Sequence, residues 1–206
     1  MKASVSGIIT LVQQTWYTTW SGPEGSSHTY LCLRVPLFIS MKEKTAEDFM
    51  RLALREAEKA RAIDEVPVGA VIVRDGKVIS RAHNLREKNQ KADAHAEMLA
   101  IRKASSKLGT WCLDDCDLYV TLEPCMMCTG VIGLSRIHAL YYGTSDPKGG
   151  TVDSLVQIKT IRNIGTYPKE IHSGILQPEC SAILSDFFRE KRKKKKRDRN
   201  EFRKAQ

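Results

Sequence analysis

His95 and Glu97 stand two apart, and Cys125 and Cys128 stand three apart behind Pro124, in a chain of 206 residues. One imidazole and two thiols make a partial tetrahedral shell for zinc, which favours nitrogen and sulfur donors and, where it is catalytic, keeps its fourth position for water. Water held in such a position loses its proton near neutral pH. Glu97 then has a task that ligation would forbid: as a free carboxylate it can take the water proton and deliver it to a substrate nitrogen. The chemistry that these four residues suit is hydrolysis, specifically the deamination of an amino-heterocycle. Cys112 or Cys116 as a fourth ligand would instead close the shell and make the metal structural.

The two halves of this set need elements that bring them together. Thr45-Ala46-Glu47-Asp48 offers a helix cap with acids in the first turn, and Phe49, Leu52, Ala53, Ala57 and Ala60 repeat at helical spacing, so a helix is expected to about Arg61. Residues 68–73 form a continuous apolar strand, Asp75-Gly76 is a hairpin signal, and residues 77–82 return as the partner strand. A helix over residues 95–108, stopped by Gly109, precedes a strand over 117–122, a helix over about 125–135 and a strand over 137–142. Beyond a loop at 146–150, the pattern predicts a short helix over 152–158 and a final helix from Ser181 to about Arg199. This alternation predicts an α/β fold of three layers, α/β/α, around a central mixed sheet of about five strands. Cys125 and Cys128 share one face of a first helical turn, whose free amides favour thiolates. His95 also stands at a helix start, so the ligands converge if the two starts face each other across the sheet.

A hydrophobic content of 42% is enough to fill a core. No run of 18 apolar residues is present, and the apolar piece at 8–12 is too short for a secretory signal, so neither a membrane span nor export is expected. Two of the six cysteines have metal-like spacing and the others show no small-secreted-domain pattern, which points to the reducing cytoplasm. Residues 1–40, rich in Ser, Thr, Gly and aromatics, read as a poorly structured extension, or as sequence upstream of a true start at Met41. Residues 41–190 read as the catalytic domain, and 191–206 as a basic tail. From Arg189 onward, eleven Lys or Arg against three acids leave +8 of the chain's net +9, so the catalytic domain is neutral and the cationic arm is separate. Such an arm suits a polyanion, bound through its phosphates and in a steeply salt-dependent way.

His95-Ala96-Glu97 with Pro124-Cys125-Met126-Met127-Cys128 resembles the signature of the zinc-dependent cytidine deaminase superfamily. The chain is more similar still to the tRNA-specific adenosine deaminases of the TadA type. That likeness runs through Val66-Pro67-Val68-Gly69-Ala70-Val71, His83-Asn84, Tyr119-Val120-Thr121-Leu122-Glu123-Pro124-Cys125, Ser135-Arg136-Ile137 and Leu184-Ser185-Asp186-Phe187-Phe188-Arg189. It covers about residues 45–192, leaving the first 40 residues and the extreme tail outside the pattern. The resemblance implies a cytidine deaminase-like fold, one Zn2+ per subunit, and a homodimer that converts the wobble adenosine of a tRNA anticodon to inosine. It further implies that Asn84 contacts the target base, while Asp146, Lys148, Phe188 and Arg189 line the path of the anticodon loop. A single-stranded loop suits such an enzyme, because its bases can be splayed into a pocket at little unstacking cost.

Two other readings stay open at this point. The same zinc chemistry serves a deaminase of a free base or nucleoside, guanine or cytosine, which would be indifferent to loss of the tail. A zinc-stabilised RNA-binding module without chemistry would show a closed four-ligand shell, or Glu97 turned away from the metal.

Overall fold

The computed structural model describes residues 18–21, 27–30, 44–160 and 167–204. Met41, most of the expected linker at 21–27, and the last two residues of the tail lie outside them. The chain divides into two compact units, Met1–Lys42 and Glu43–Gln206. In the first, β1 (Thr18–Ser21) pairs antiparallel with β2 (Ser27–Tyr30), a pairing that the polar composition of this stretch does not announce.

The second unit opens with α1 (Ala46–Ala62). The Thr45 hydroxyl accepts the Asp48 amide while the Asp48 carboxylate accepts the Thr45 amide, a reciprocal cap that satisfies two donors the helix cannot pair itself. Phe49, Leu52, Ala53, Ala57 and Ala60, at the expected spacing, are its buried face. β3 (Gly69–Arg74) turns into β4 (Lys77–His83) through Asp75 and Gly76, whose φ values of 48° and 68° give the turn the sense that matches strand twist. A one-turn helix α2 (Arg86–Asn89) interrupts the loop before α3 (Ala96–Leu108). Then follow β5 (Asp117–Leu122), α4 (Met126–Leu134), β6 (Ala139–Thr144), β7 (Glu170–Ser173) and α5 (Gln177–Lys204).

The five strands form one mixed sheet in the order β4-β3-β5-β6-β7, antiparallel from β4 to β5 and parallel from β5 to β7. Side chains alternate across it with period two. Val71, Val73 and Tyr119 point to one face and pack with Phe49, Met50 and Leu52 of α1 and with Cys180 at the start of α5. Ala70, Ile72, Leu118, Val120 and Leu140 point to the other, against Ala100 and Ala104 of α3 and Ile132 of α4. Three layers result, and the parallel pairing of β5 with β6 makes α4 the crossover between them.

Four expectations are corrected. No helix forms over 152–158. Residues 151–154 are turns, a single 3-10 turn occupies Ile158–Thr160, and the amides of Asp153 and Ser154 are taken by the Glu123 carboxylate instead of a helical ladder. β6 begins two residues later than predicted, because Arg136 adopts φ 57° in a turn and the chain bends again at His138. β7 is absent from the expected elements: Glu-Ile-His-Ser is short and polar, an edge strand without the apolar alternation that marks an inner one. The final helix starts earlier than Ser181 and runs unbroken past Lys191 to Lys204. Among the described residues, no helix is long and apolar enough to cross a membrane.

Candidate active site

His95 is the N-cap residue of α3 and Cys125 the N-cap residue of α4, each with extended φ and ψ and neither bonding its own helix through its side chain. Both helices start at one end of the sheet, α4 directly after β5, so the side chains freed from capping meet. His95 Nδ1 lies 3.7 Å from Cys125 Sγ and 3.6 Å from Cys128 Sγ, and the three donor atoms fall within 4.8 Å of one another. Bond lengths of about 2.0 Å to nitrogen and 2.3 Å to sulfur in a tetrahedral zinc site set nitrogen-to-sulfur edges of roughly 3.5 Å. The observed spacing fits that ion. Among the described residues, these three are the only cluster of metal-type side chains, and no fourth Cys or His joins it.

Cys116 cannot join. It precedes β5 while Cys125 follows it, and six residues of strand at about 3.3 Å each place them some 20 Å apart. Burial, with the Asp115 carboxylate beside it, pushes the Cys116 thiol up to about 12. At the other end of the strand the order is reversed: hydrogen bonds from Cys128 and His95 hold the Cys125 thiol down at about 4, against the opposing effect of burial. The contact with Cys125 and burial raise Cys128, and the Cys125 sulfur raises His95. Among the protein groups alone the negative charge settles on Cys125; a divalent cation on the triangle is what makes both thiolates compatible.

Glu97 sits in the first turn of α3, 4% exposed, and burial pushes its carboxyl up to about 6. It lines, with His95, Cys125 and Asn84, a cavity of about 250 Å³ whose walls include Glu65, Val66, Leu122 and Asp146. Asn84 reaches the cavity from the end of β4, where its amide donates to Val68 O at 3.0 Å. A groove continues from this cavity, sharing Val66, Leu122 and Asp146 with it and bounded by Lys148 and by Ser181, Ser185, Phe188 and Arg192 of α5. Thus Asn84 and Asp146 share the cavity with His95 and Cys125, while Lys148 and Phe188 line the adjoining groove. Arg189 does not line the groove: it pairs with Asp186 at 2.5 Å, and its neighbour one turn on, Arg192, supplies the cation instead. Phe187 is buried against the domain while Phe188 is 43% exposed.

Sequence reasoning passed over three residues. Arg192 was legible, since positions 181, 185, 188 and 192 repeat at helical spacing. Glu65, 1% exposed, accepts Asn84 Nδ2 at 3.0 Å and the Lys88 amide at 2.6 Å. Glu123, 2% exposed, accepts the amides of Asp146, Asp153 and Ser154 at 2.9, 2.8 and 2.9 Å, and the Ser154 hydroxyl. The loop closes so tightly on it that a Cβ at Gly150 would lie 2.3 Å from the Glu123 carboxyl carbon. Neither carboxylate stands at a recognisable spacing from its partners, so no local signal marks its role.

A family model of MafB19-like deaminases matches residues 44–192. The chain is 50% identical over 150 residues to a tRNA-specific adenosine deaminase of Bacillus subtilis, covering 73% of this chain and 92% of that protein. It is 48% identical over 152 residues to the tRNA-specific adenosine deaminase of Agrobacterium fabrum, covering 74% and 98%. Among solved structures it resembles one from studies of A-to-I editing by tRNA:A34 deaminases at the wobble position of transfer RNA. That likeness has a TM-score of 0.64 at 47% identity, and covers 66% of this chain and 98% of the other.

Proposed function

The chain belongs to the MafB19-like deaminase family, among its tRNA-specific adenosine deaminases, and from that premise we propose that it hydrolyses the wobble adenosine of a tRNA anticodon to inosine, releasing ammonia. One observation carries the reading: the buried Glu97 carboxylate, His95 and Cys125 line one cavity with Asn84, and the buried Cys128 completes the donor triangle behind them. Zinc held by that triangle would supply an activated water as nucleophile. Glu97 takes the nucleophile's proton, gives it to a ring nitrogen of the adenine and helps the amino group leave as ammonia. A carboxyl raised by burial toward neutrality suits both the taking and the giving. Asn84 holds the base, while Asp146, Lys148 and Phe188, with Arg192 beyond them, accept the flanking nucleotides. The groove's mix of an aromatic ring and cations is suited to unpaired bases and their phosphates. Arg189, exposed on the same helix and paired with Asp186, would meet phosphates.

The subunit is read as half of a homodimer. α4 leaves Met126 and Leu134 exposed, and Trp111, 63% exposed, stacks on Arg136 just beyond the end of that helix. Apolar side chains of this size are what a second copy would cover. Free thiols at the site require a reducing compartment, in keeping with a cytoplasmic enzyme.

Incubation of the zinc-loaded protein with a tRNA bearing adenosine at the wobble position, followed by sequencing for inosine, tests the function. Conversion confined to that position is expected. No conversion at full metal occupancy sinks the reading, and turnover of free guanine or cytosine in its place moves the activity to small molecules.

A further inference from the structure

We infer that Glu65 is a positioning residue for the base: it fixes which way the Asn84 amide faces. The inference rests on the reading of Asn84 as a base contact. Asn84 and Glu65 meet because β3 and β4 pair antiparallel, Gly69 opposite His83, so the residue leaving β4 comes to lie beside the segment entering β3. Both side chains are buried, 7% and 1% exposed, and both line the cavity beside Glu97.

The hydrogen-bond accounting leaves one arrangement. The Lys88 backbone amide can only donate, and it occupies Glu65 Oε1 at 2.6 Å. The second carboxyl oxygen, Oε2, accepts from Asn84 Nδ2 at 3.0 Å, so the amide nitrogen of Asn84 is the atom turned toward Glu65. One Nδ2 hydrogen is thereby used, and Asn84 has its Oδ1 acceptor and one N–H donor left for a ligand. An asparagine without such a neighbour turns its oxygen and nitrogen over at little cost, presenting the reverse pattern. A site that reads donors and acceptors on a flat heterocycle cannot tolerate that ambiguity, since the wrong orientation sets donor against donor. The Lys88 bond also ties α2, whose Arg86 and Glu87 wall the cavity, to the same carboxylate.

Glu65→Gln separates this role from packing. The Lys88 amide still demands an oxygen, which takes the glutamine carbonyl and points its NH2 at Asn84. Asn84 then answers with its oxygen, so every hydrogen bond is kept and the amide facing the base is reversed.

The test uses full-length, zinc-loaded protein and an anticodon stem-loop RNA with adenosine at the wobble position. Glu65→Gln is expected to keep its metal content and melting temperature while kcat/KM falls by roughly 10- to 100-fold, the loss typical when a group that orients a site residue is changed. In an Asn84→Ala background, adding Glu65→Gln should cost less than about twofold more, because its effect passes through Asn84. Activity of Glu65→Gln within about twofold of the parent, or full additivity of the two changes, overturns the inference. An inert Asn84→Ala, one that leaves activity unchanged, removes the underlying reading of Asn84 and the inference with it, whereas no inosine from the parent protein removes the proposed function itself. A second measurement needs no Glu65 variant. In the NMR spectrum of the parent protein, one proton of the Asn84 side-chain amide should exchange slowly, held by Glu65; two rapidly exchanging protons refute the arrangement.

Discussion

Glu123 Oε2 accepts the backbone amide of Asp146 at 2.9 Å, fastening the loop that leads to the groove onto the end of the strand that leads to Cys125. Glu123→Ala would leave the amides of Asp146, Asp153 and Ser154 without their acceptor. A loss of about 3 kcal/mol in unfolding free energy is expected from several buried donors stripped at once. Chemical denaturation checks this, and metal content measured in parallel should change far less than stability.

The same carboxylate sets an acid limit. Burial opposes its ionisation, but the Ser154 hydroxyl and the amides of Asp153, Asp146 and Ser154 outweigh that and hold its pKa below the ordinary glutamate value. A carboxylate depressed in the folded state stabilises above its unfolded pKa, and the benefit disappears as pH falls through the folded value. Unfolding free energy measured from neutral pH downward should therefore drop less steeply in Glu123→Gln than in the parent, below the ordinary carboxylate range. Parallel acid limbs would show that Glu123 contributes nothing to them.

Glu97→Gln is nearly isosteric and leaves His95, Cys125 and Cys128 untouched. It should bind metal as the parent does and lower the single-turnover rate by about 10²- to 10⁴-fold, the range for removing a positioned acid–base group. Zinc stoichiometry and quenched-flow inosine formation are the two readouts. Undiminished turnover removes Glu97 from the proton path.

Cobalt substitution reports the donor set directly. With two thiolates and one imidazole the Co2+ protein should show thiolate-to-metal charge-transfer absorption, weakened in Cys125→Ser and in Cys128→Ser and unchanged in Cys116→Ser. Chelation should abolish activity and zinc should restore it.

Truncation after Arg192 keeps the groove and the ion pairs of Arg61 with Glu190 and Lys191 with Asp64, at 2.8 and 2.5 Å. It should raise KM for tRNA and flatten the dependence of binding on salt, by about 0.7–0.9 in the log–log slope for each phosphate that the shortened helix no longer neutralises. An enzyme for free bases would be indifferent to this deletion.

What could be read in advance, and what could not, divides along chain distance. The Cys125 and Cys128 spacing, the cap position of His95 and the carboxylate two residues on are short-range patterns, fixed by helix geometry, and they locate the metal-type cluster without any tertiary knowledge. The layers were equally legible, since strands at 69–74 and 117–122 announce themselves by apolar runs. Glu65 and Glu123 act on partners 19 to 31 residues away, and a lone acid before Val66 or Pro124 looks like any other. The misread helix at 152–158 has the same cause: Glu123 draws off the amides that local periodicity would assign to a ladder.

α5 has 28 residues in one unbroken helix and is pinned where Glu190 and Lys191 grip α1 and the turn after it. From that anchor a further thirteen residues run on to Lys204, about 20 Å at 1.5 Å per residue. A stiff rod fixed at its base turns residue number into reach. Each added or removed turn would shift the outermost cations by about 5 Å without altering the grip, so the reach of the positive charge is graduated in helical turns.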